Sequence, residues 1–266
     1  MSQPSPLTRS QLVSSLRAWL DRDPRVRAAW EGGSAAFDDV DEWSDVDAIV
    51  VVADDAVDAV FDDLERSLGA LSPIAHRHDI PATSGYTQRF YRLRDAGEFL
   101  VLDLVLIRQS DPLLFREVEL HGRGRTWLDR DGRLDERHLD RDADLEQARQ
   151  RLAPLRSGFE MFQHLVIKEC RRGRACDALA FYQAWTLRPL IEAIRLLHVP
   201  ALRGFGMRYL ARDLPAPVVR RIEGLAYVRD LSHLVVAQRQ ASAWFTECMD
   251  CLQAQGPGAL APAQPR

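Results

Sequence analysis

Ser44-Asp45-Val46-Asp47-Ala48-Ile49-Val50-Val51-Val52 enters a β-branched run through two carboxylates. Val and Ile at this density read as a buried strand. Side chains two apart on a strand share a face, so Asp45 and Asp47 project together, with α-carbons about 6.5–7 Å apart. Farther on, Phe99-Leu100-Val101-Leu102-Asp103-Leu104-Val105-Leu106-Ile107 holds a single charge in an apolar run. An unpaired carboxylate inside a sheet costs several kcal/mol, on the order of the buried-ion penalty, unless a cation meets it. If the two strands pair side by side, three carboxylates converge at one sheet end. That donor set suits magnesium, which takes oxygen ligands and keeps waters for substrate phosphates. Phosphoryl or nucleotidyl transfer is the chemistry such an ion serves.

Outward from this pair, residues 26–30 read as a short strand delivering the chain to Gly32-Gly33-Ser34, with a helix start expected after Ser34. Glycine lets the backbone approach phosphates closely, while a hydroxyl and the amides of a helix start donate hydrogen bonds, so Gly33 and Ser34 are candidate phosphate binders. Residues 10–20 carry Leu12, Val13, Leu16, Trp19 and Leu20 at helical spacing, ended by Asp23-Pro24. A second amphipathic helix is expected near 56–68, with Val57, Val60, Phe61, Leu64 and Leu68 on one face. Strands at 87–93 and 99–107 are separated by Arg94-Asp95-Ala96-Gly97-Glu98, a hairpin connection that makes the Asp103 strand central or nearly so. Residues 125–134 read as a turn leaving the sheet. After Asp140 the pattern becomes helical at about 143–172, 174–198, 217–228 and 230–253, with breaks at Pro200, Pro215 and Pro217. From Gln255 the Gly, Ala, Pro and Gln composition predicts disorder. The fold class is α+β: a mixed sheet flanked by helices over 1–140, an all-helical domain over 141–254, and a tail over 255–266.

With 266 residues, 46 % of them hydrophobic, the chain can bury a substantial core. The net charge of −4 conceals an asymmetry. Residues 31–63 hold twelve acids and no Lys or Arg, whereas 151–250 hold fifteen Lys plus Arg against nine acids. An acidic N-terminal half without a basic, aromatic-interleaved stripe excludes a nucleic-acid partner. No run of about 18 apolar residues is present, so no membrane partner is expected. Cys170, Cys176, Cys248 and Cys251 fall in helical patterns, and Cys248-Met-Asp-Cys251 lacks the second pair that zinc needs. A reducing, cytoplasmic setting is the expectation.

Gly33-Ser34, then ten residues, then Asp45-Val-Asp47, with Asp103 in Leu102-Asp103-Leu104, resembles the polymerase-beta-like nucleotidyltransferase superfamily. Within it, residues 24–34 followed by Ser44-Asp45-Val46-Asp47 are similar to the streptomycin and other aminoglycoside adenylyltransferases. The likeness covers roughly residues 24–107 and is only architectural beyond, where those enzymes place a helical substrate-binding domain. It implies transfer of a nucleoside monophosphate from ATP or another NTP to a hydroxyl, releasing pyrophosphate. Residue by residue it implies Gly33 and Ser34 as triphosphate binders and Asp45 and Asp47 as magnesium ligands. Asp103 matches the third acid, as ligand, base or both. Glu98 is a further candidate base.

In the helical half, Lys168 with Arg171, Arg172 and Arg174 is a candidate for reaching the triphosphate, against the reading of a helix end favoured by its dipole. Tyr182 and Trp185 fit a core as well as a stacking platform, and His76 and His78 share a strand face without a third ligand. The acidic stretch 38–42 would attract a polycationic acceptor. The resemblance implies a small-molecule hydroxyl acceptor, and a monomer or homodimer is expected. The alternatives are a protein-modifying antitoxin-type nucleotidyltransferase and a non-catalytic nucleotide-binding module.

Overall fold

The structure, a computed structural model, describes residues 6–81 and 85–261. By internal packing the chain divides into two units, Met1–Leu139 and Asp140–Arg266.

In the first unit, helix α1 (Arg9–Arg22) starts at Thr8, whose hydroxyl and backbone exchange hydrogen bonds with Gln11 in a capping box. Strand β1 (Val26–Glu31) follows, then a single 3₁₀ turn (Gly33–Phe37), β2 (Val46–Val52) and α2 (Val57–Leu71). Next come β3 (Ile74–Asp79), β4 (Thr87–Leu93), β5 (Leu102–Arg108), the short α3 (Val118–His121) and β6 (Arg125–Asp129). Among the described residues these strands form a six-stranded sheet in the order β3-β4-β5-β2-β1-β6. β2 and β5 run parallel at its centre, and the other neighbours are antiparallel. The sheet is thus mixed, as the sequence predicts.

Both faces of β2 and β5 are covered, which is why their sequences read as nearly continuous apolar runs. Val46, Ala48, Val50 and Val52, with Leu102, Leu104 and Leu106, pack under α1 and α2 through Leu12, Leu16, Leu20, Val60, Phe61 and Leu64. The alternate residues Ile49, Val51, Val105 and Ile107 build a smaller cluster with Ala28, Trp30 and Leu113 on the opposite face. By the same alternation Asp47 and Asp103 belong to that second face, at the ends where both strands begin.

Three expectations change in this unit. The helix start after Ser34 is only the five-residue 3₁₀ turn, because its C-cap, Asp38, turns left-handed at φ 53°. Residues 125–129 are not a turn but the edge strand β6, paired with β1. An edge strand buries little, so it lacks the apolar alternation that marks a strand; the turn lies beyond it, where the Asp129 carboxylate accepts from the Arg133 and Leu134 amides at 3.0 Å each. The apolar run beginning at Phe99 becomes a strand only at Leu102.

The second unit begins with α4 (Arg141–Arg171), N-capped by Asp140. Helix α5 (Ala175–Tyr182), a π-turn (Gln183–Leu187) and α6 (Arg188–His198) continue one another over the span read as a single helix. Pro189 sits in the first turn of α6, and the wider π-turn leads into that residue without an amide. Helices α7 (Leu210–Asp213), α8 (Ala216–Ala226) and α9 (Leu231–Gln255) complete the unit. Its core centres on α6, where Leu190, Ile191, Ala193, Ile194, Leu196 and Leu197 are all buried.

Arg195 is buried completely in that apolar helix. Its guanidinium pairs with Asp213 at 2.8 Å and donates to the carbonyls of Gly206 at 2.9 Å and Arg208 at 2.5 Å. It thereby fastens residues 206–213 to the core. The tail is not wholly disordered: Gly258 and Leu260 donate to the carbonyls of Leu196 and Leu197 at 2.8 and 3.0 Å. Those are acceptors that the end of α6 leaves open, and residues 256–261 cover them. Residues 262–266 lie outside the described residues. No described helix is long and apolar enough to cross a membrane.

Arg195→Ala leaves the buried Asp213 with Arg212 alone, at 2.8 Å, and takes the donor from the Gly206 and Arg208 carbonyls; stability falls by about 3–5 kcal/mol, seen as a fall in the urea midpoint.

Candidate active site

The sheet register sets the site. β2 and β5 pair so that Asp47 lies directly opposite Asp103. Asp45, just before β2, joins them at the same end. The backbone of Gly32 donates to the Asp47 carbonyl at 2.9 Å, tying the Gly-Gly-Ser loop to the start of β2.

Gly33 is obligatory here for two independent reasons. Its φ of +53° is left-handed, and a Cβ at this position would stand 1.7 Å from Asp47 Oδ2 and 2.5 Å from its Cγ. The Asp47 carboxylate occupies the space that any other residue's side chain would need. Ser34 Oγ, next in the chain, is buried and has no hydrogen-bond partner. A buried polar group left unsatisfied costs about 1–3 kcal/mol. The hydroxyl is a donor held ready beside a carboxylate cluster, the chemistry an oxyanion ligand requires.

Three residues that the sequence reading passed over complete the site. Gln88 of β4 donates from Nε2 to both oxygens of Asp103, at 2.7 and 2.9 Å, and fixes that carboxylate. Arg9 of α1 pairs with the buried Glu31 at the end of β1, and its Nε donates to the Asp45 carbonyl at 2.9 Å. Only the hairpin register could have pointed to Gln88, which pairs with Val105 and so stands diagonal to Asp103. Nothing local in the sequence links Arg9 to Glu31, 22 positions away.

Burial pushes the Asp47 carboxyl up to about 7, helped by the negative charges of Asp45, Asp103 and Glu31 and opposed by Arg9. Burial also raises Asp103; the Gln88 hydrogen bond opposes this and Asp45 adds to it. Like charges and desolvation therefore act together on the free protein. Among the described residues no three His, Cys, Asp or Glu side chains stand close enough to hold a metal ion. Asp45, Asp47 and Asp103 share one sheet end without closing into a cage. Their fit to a magnesium ion lies in donor chemistry, three carboxylates and no nitrogen or sulfur, in a place where negative charge is in excess.

Lys168 belongs to the helical unit, in the last turn of α4, with its ammonium 3.7 Å from Glu169, which also pairs with Arg172 and Arg174. Glu98 is exposed in the β4–β5 connection. Tyr182 is fully buried and donates to the Leu225 carbonyl at 2.9 Å, a core role. Trp185 packs on Phe162, with centroids 4.2 Å apart. His76 and His78 lie on the edge strand β3, where His78 sits against Phe90.

No family model and no curated protein sequence matches the chain. In structure it is similar to an aminoglycoside 6-adenyltransferase from Bacillus subtilis, at 14 % identity over 97 % of this chain and 93 % of that one, with a TM-score of 0.37. It is also similar to a nucleotidyltransferase-like protein from Exiguobacterium sibiricum 255-15, at 15 % identity over 93 % of this chain and 75 % of that one, with a TM-score of 0.39. At those scores neither superposition carries an argument, and the site stands on its own residues.

Asp47 moves from the ordinary 3.8 to about 7 on folding, so the folded protein holds an extra proton between those values. Its stability accordingly falls as pH rises through that window. Asp47→Asn raises the melting temperature at pH 8 by a few degrees, on the order of the 2–4 °C that 1 kcal/mol is worth in a chain of this size, and leaves it unchanged at pH 3. Ser34→Ala removes a hydroxyl that bonds to nothing, so calorimetry should show an unchanged or higher melting temperature.

Proposed function

We propose that the chain is a magnesium-dependent nucleotidyltransferase that moves AMP from ATP, or the corresponding group from another NTP, to a hydroxyl of a small molecule, with an aminoglycoside-like antibiotic as the acceptor. The observation that carries this reading is the alignment of Asp47 with Asp103 across β2 and β5, with Gly33 pressed against Asp47 and an unsatisfied Ser34 hydroxyl beside it. A phosphate chain supplies what this arrangement lacks, oxygen acceptors for Ser34, and an ion escorting it supplies positive charge for the carboxylates.

Asp45, Asp47 and Asp103 are the residues that would hold magnesium. When bound, the ion supplies charge neutralisation for the triphosphate. Ser34 donates its hydroxyl hydrogen to a phosphate oxygen, and Gly33 keeps the backbone low enough for the phosphates to approach. The acceptor oxygen forms a bond to the α-phosphorus, the bond from that phosphorus to the β-bridging oxygen breaks, and pyrophosphate carries away the electron pair. Asp103 receives the acceptor's proton. Gln88 holds both Asp103 oxygens and so sets the direction from which the proton arrives.

Pyrophosphate release from ATP and magnesium, screened against aminoglycosides and other hydroxylated antibiotics, tests this. Release requires one acceptor and is lost in the Asp45→Ala/Asp47→Ala double variant. Asp103→Asn lowers turnover about 10²–10⁴-fold. Gly33→Ala displaces Asp47 and lowers it by about 10²-fold or more. Silence across the panel with ATP still bound would overturn the small-molecule acceptor and favour a protein acceptor or a binding role.

A further inference from the structure

Trp43 and Phe99 are 56 % and 51 % exposed, yet their rings meet edge to face with centroids 5.0 Å apart. Single exposed aromatics are ordinary, but two touching across separate loops form a surface. Both loops lead into the site. Trp43 lies two residues before Asp45 and Phe99 four before Asp103, and the Val46 amide donates to the Val101 carbonyl at 2.9 Å, joining the two segments. Trp43 is presented on a fixed turn, since the Asp41 carboxylate accepts from the Trp43 amide at 3.0 Å and from the Ser44 hydroxyl at 2.7 Å.

Each aromatic is preceded by a glutamate, as Glu42-Trp43 and Glu98-Phe99. Both glutamates are exposed. Among the described residues neither carboxylate has an ion-pair or hydrogen-bond partner; Arg92 reaches Glu98 only at its backbone carbonyl, at 3.2 Å. Of the other acids on the first loop, Asp38 is taken by Arg125 at 2.8 Å and Asp41 by its own turn, while Asp39 is a further exposed carboxylate. Two touching rings, each with a free carboxylate on the preceding residue, thus stand on the two segments that enter the strands of Asp47 and Asp103.

We propose that Trp43, Phe99, Glu42 and Glu98 form the rim that binds the amino-sugar acceptor of this site, the two rings taking its apolar ring face and the two glutamates its ammonium groups. This rests on the nucleotidyl-transfer reading for its place in a reaction, but not for its binding chemistry. The apolar C–H face of a sugar ring packs on the aromatics, and its ammonium groups meet Glu42 and Glu98. A nucleobase also stacks on aromatic rings, but it is neutral and gains nothing from the glutamates, and its triphosphate is repelled by them. The phosphate-binding features, Gly33 and Ser34, stand in the 3₁₀ turn at the start of the β1–β2 connection, and Glu42 and Trp43 at its far end.

Calorimetric titration of the full chain with streptomycin and kanamycin, and separately with ATP and magnesium, decides the matter. The expected result is binding of at least one aminoglycoside, weakened about tenfold by Trp43→Ala and by Phe99→Ala and restored by Trp43→Phe, with ATP affinity unchanged. Glu42→Gln/Glu98→Gln weakens it comparably, and less at high salt. Aminoglycoside affinity equal in all variants, or absent in the wild type, overturns the proposal, as does a loss confined to ATP, which would make the rim a nucleobase platform. Pyrophosphate release on the same samples separates the two readings. Binding lost as expected without any release in the wild type would sink the transfer reaction and leave the rim standing; release with unchanged affinity in Trp43→Ala would do the reverse.

Discussion

Parallel pairing of β2 and β5 puts Asp47 beside Asp103, and the surrounding structure answers to that placement. Two carboxylates on adjacent strands, with Asp45 next to them, repel one another and lose hydration together. Within the first unit the opposing contributions are few: Gln88 donates to Asp103, and Arg9 sits near enough to favour the ionised form of Asp47 while pairing with Glu31. These do not cancel the burial, and Asp47 stays raised. A protein that keeps such an arrangement carries a cluster short of positive charge.

The fold places that shortage where chemistry can reach it. Alternation along β2 and β5 sends one set of apolar side chains under α1 and α2 and the other set, including Asp47 and Asp103, to the opposite face. That opposite cluster is the smaller of the two, and the carboxylates lie at its edge. The loops entering the strands supply the rest: Gly32-Gly33-Ser34 from the end of β1, Trp43 before β2 and Phe99 before β5. The helical unit is built on a different principle, an apolar bundle around α6 locked by the buried Arg195–Asp213 pair.

Much of the first unit was legible because its signals are local. The α2 face, the Gly-Gly-Ser loop, the Asp-x-Asp strand and the lone charge of Asp103 each follow from periodicities of two or 3.6 residues. β6 escaped because an edge strand buries too little to leave an alternating pattern, and the ordered tail at 256–261 escaped because its hydrogen bonds go to the distant carbonyls of Leu196 and Leu197. The helix expected after Ser34 shrank to one 3₁₀ turn, since a left-handed Asp38 ends it.

By itself the sequence determined which residues carry charge into the sheet and that glycine and serine precede them, because strand alternation and glycine's backbone freedom are properties of a few neighbouring residues. Tertiary structure decided the rest. Only the strand register sets Asp103 opposite Asp47 and not one residue away, where it would face the helices. Only the folded backbone presses Gly33 against the Asp47 carboxylate, strands the Ser34 hydroxyl without a partner, brings Gln88 and Arg9 to the site, and joins Trp43 to Phe99. Each of these depends on contacts between residues far apart in the chain, which no local pattern encodes.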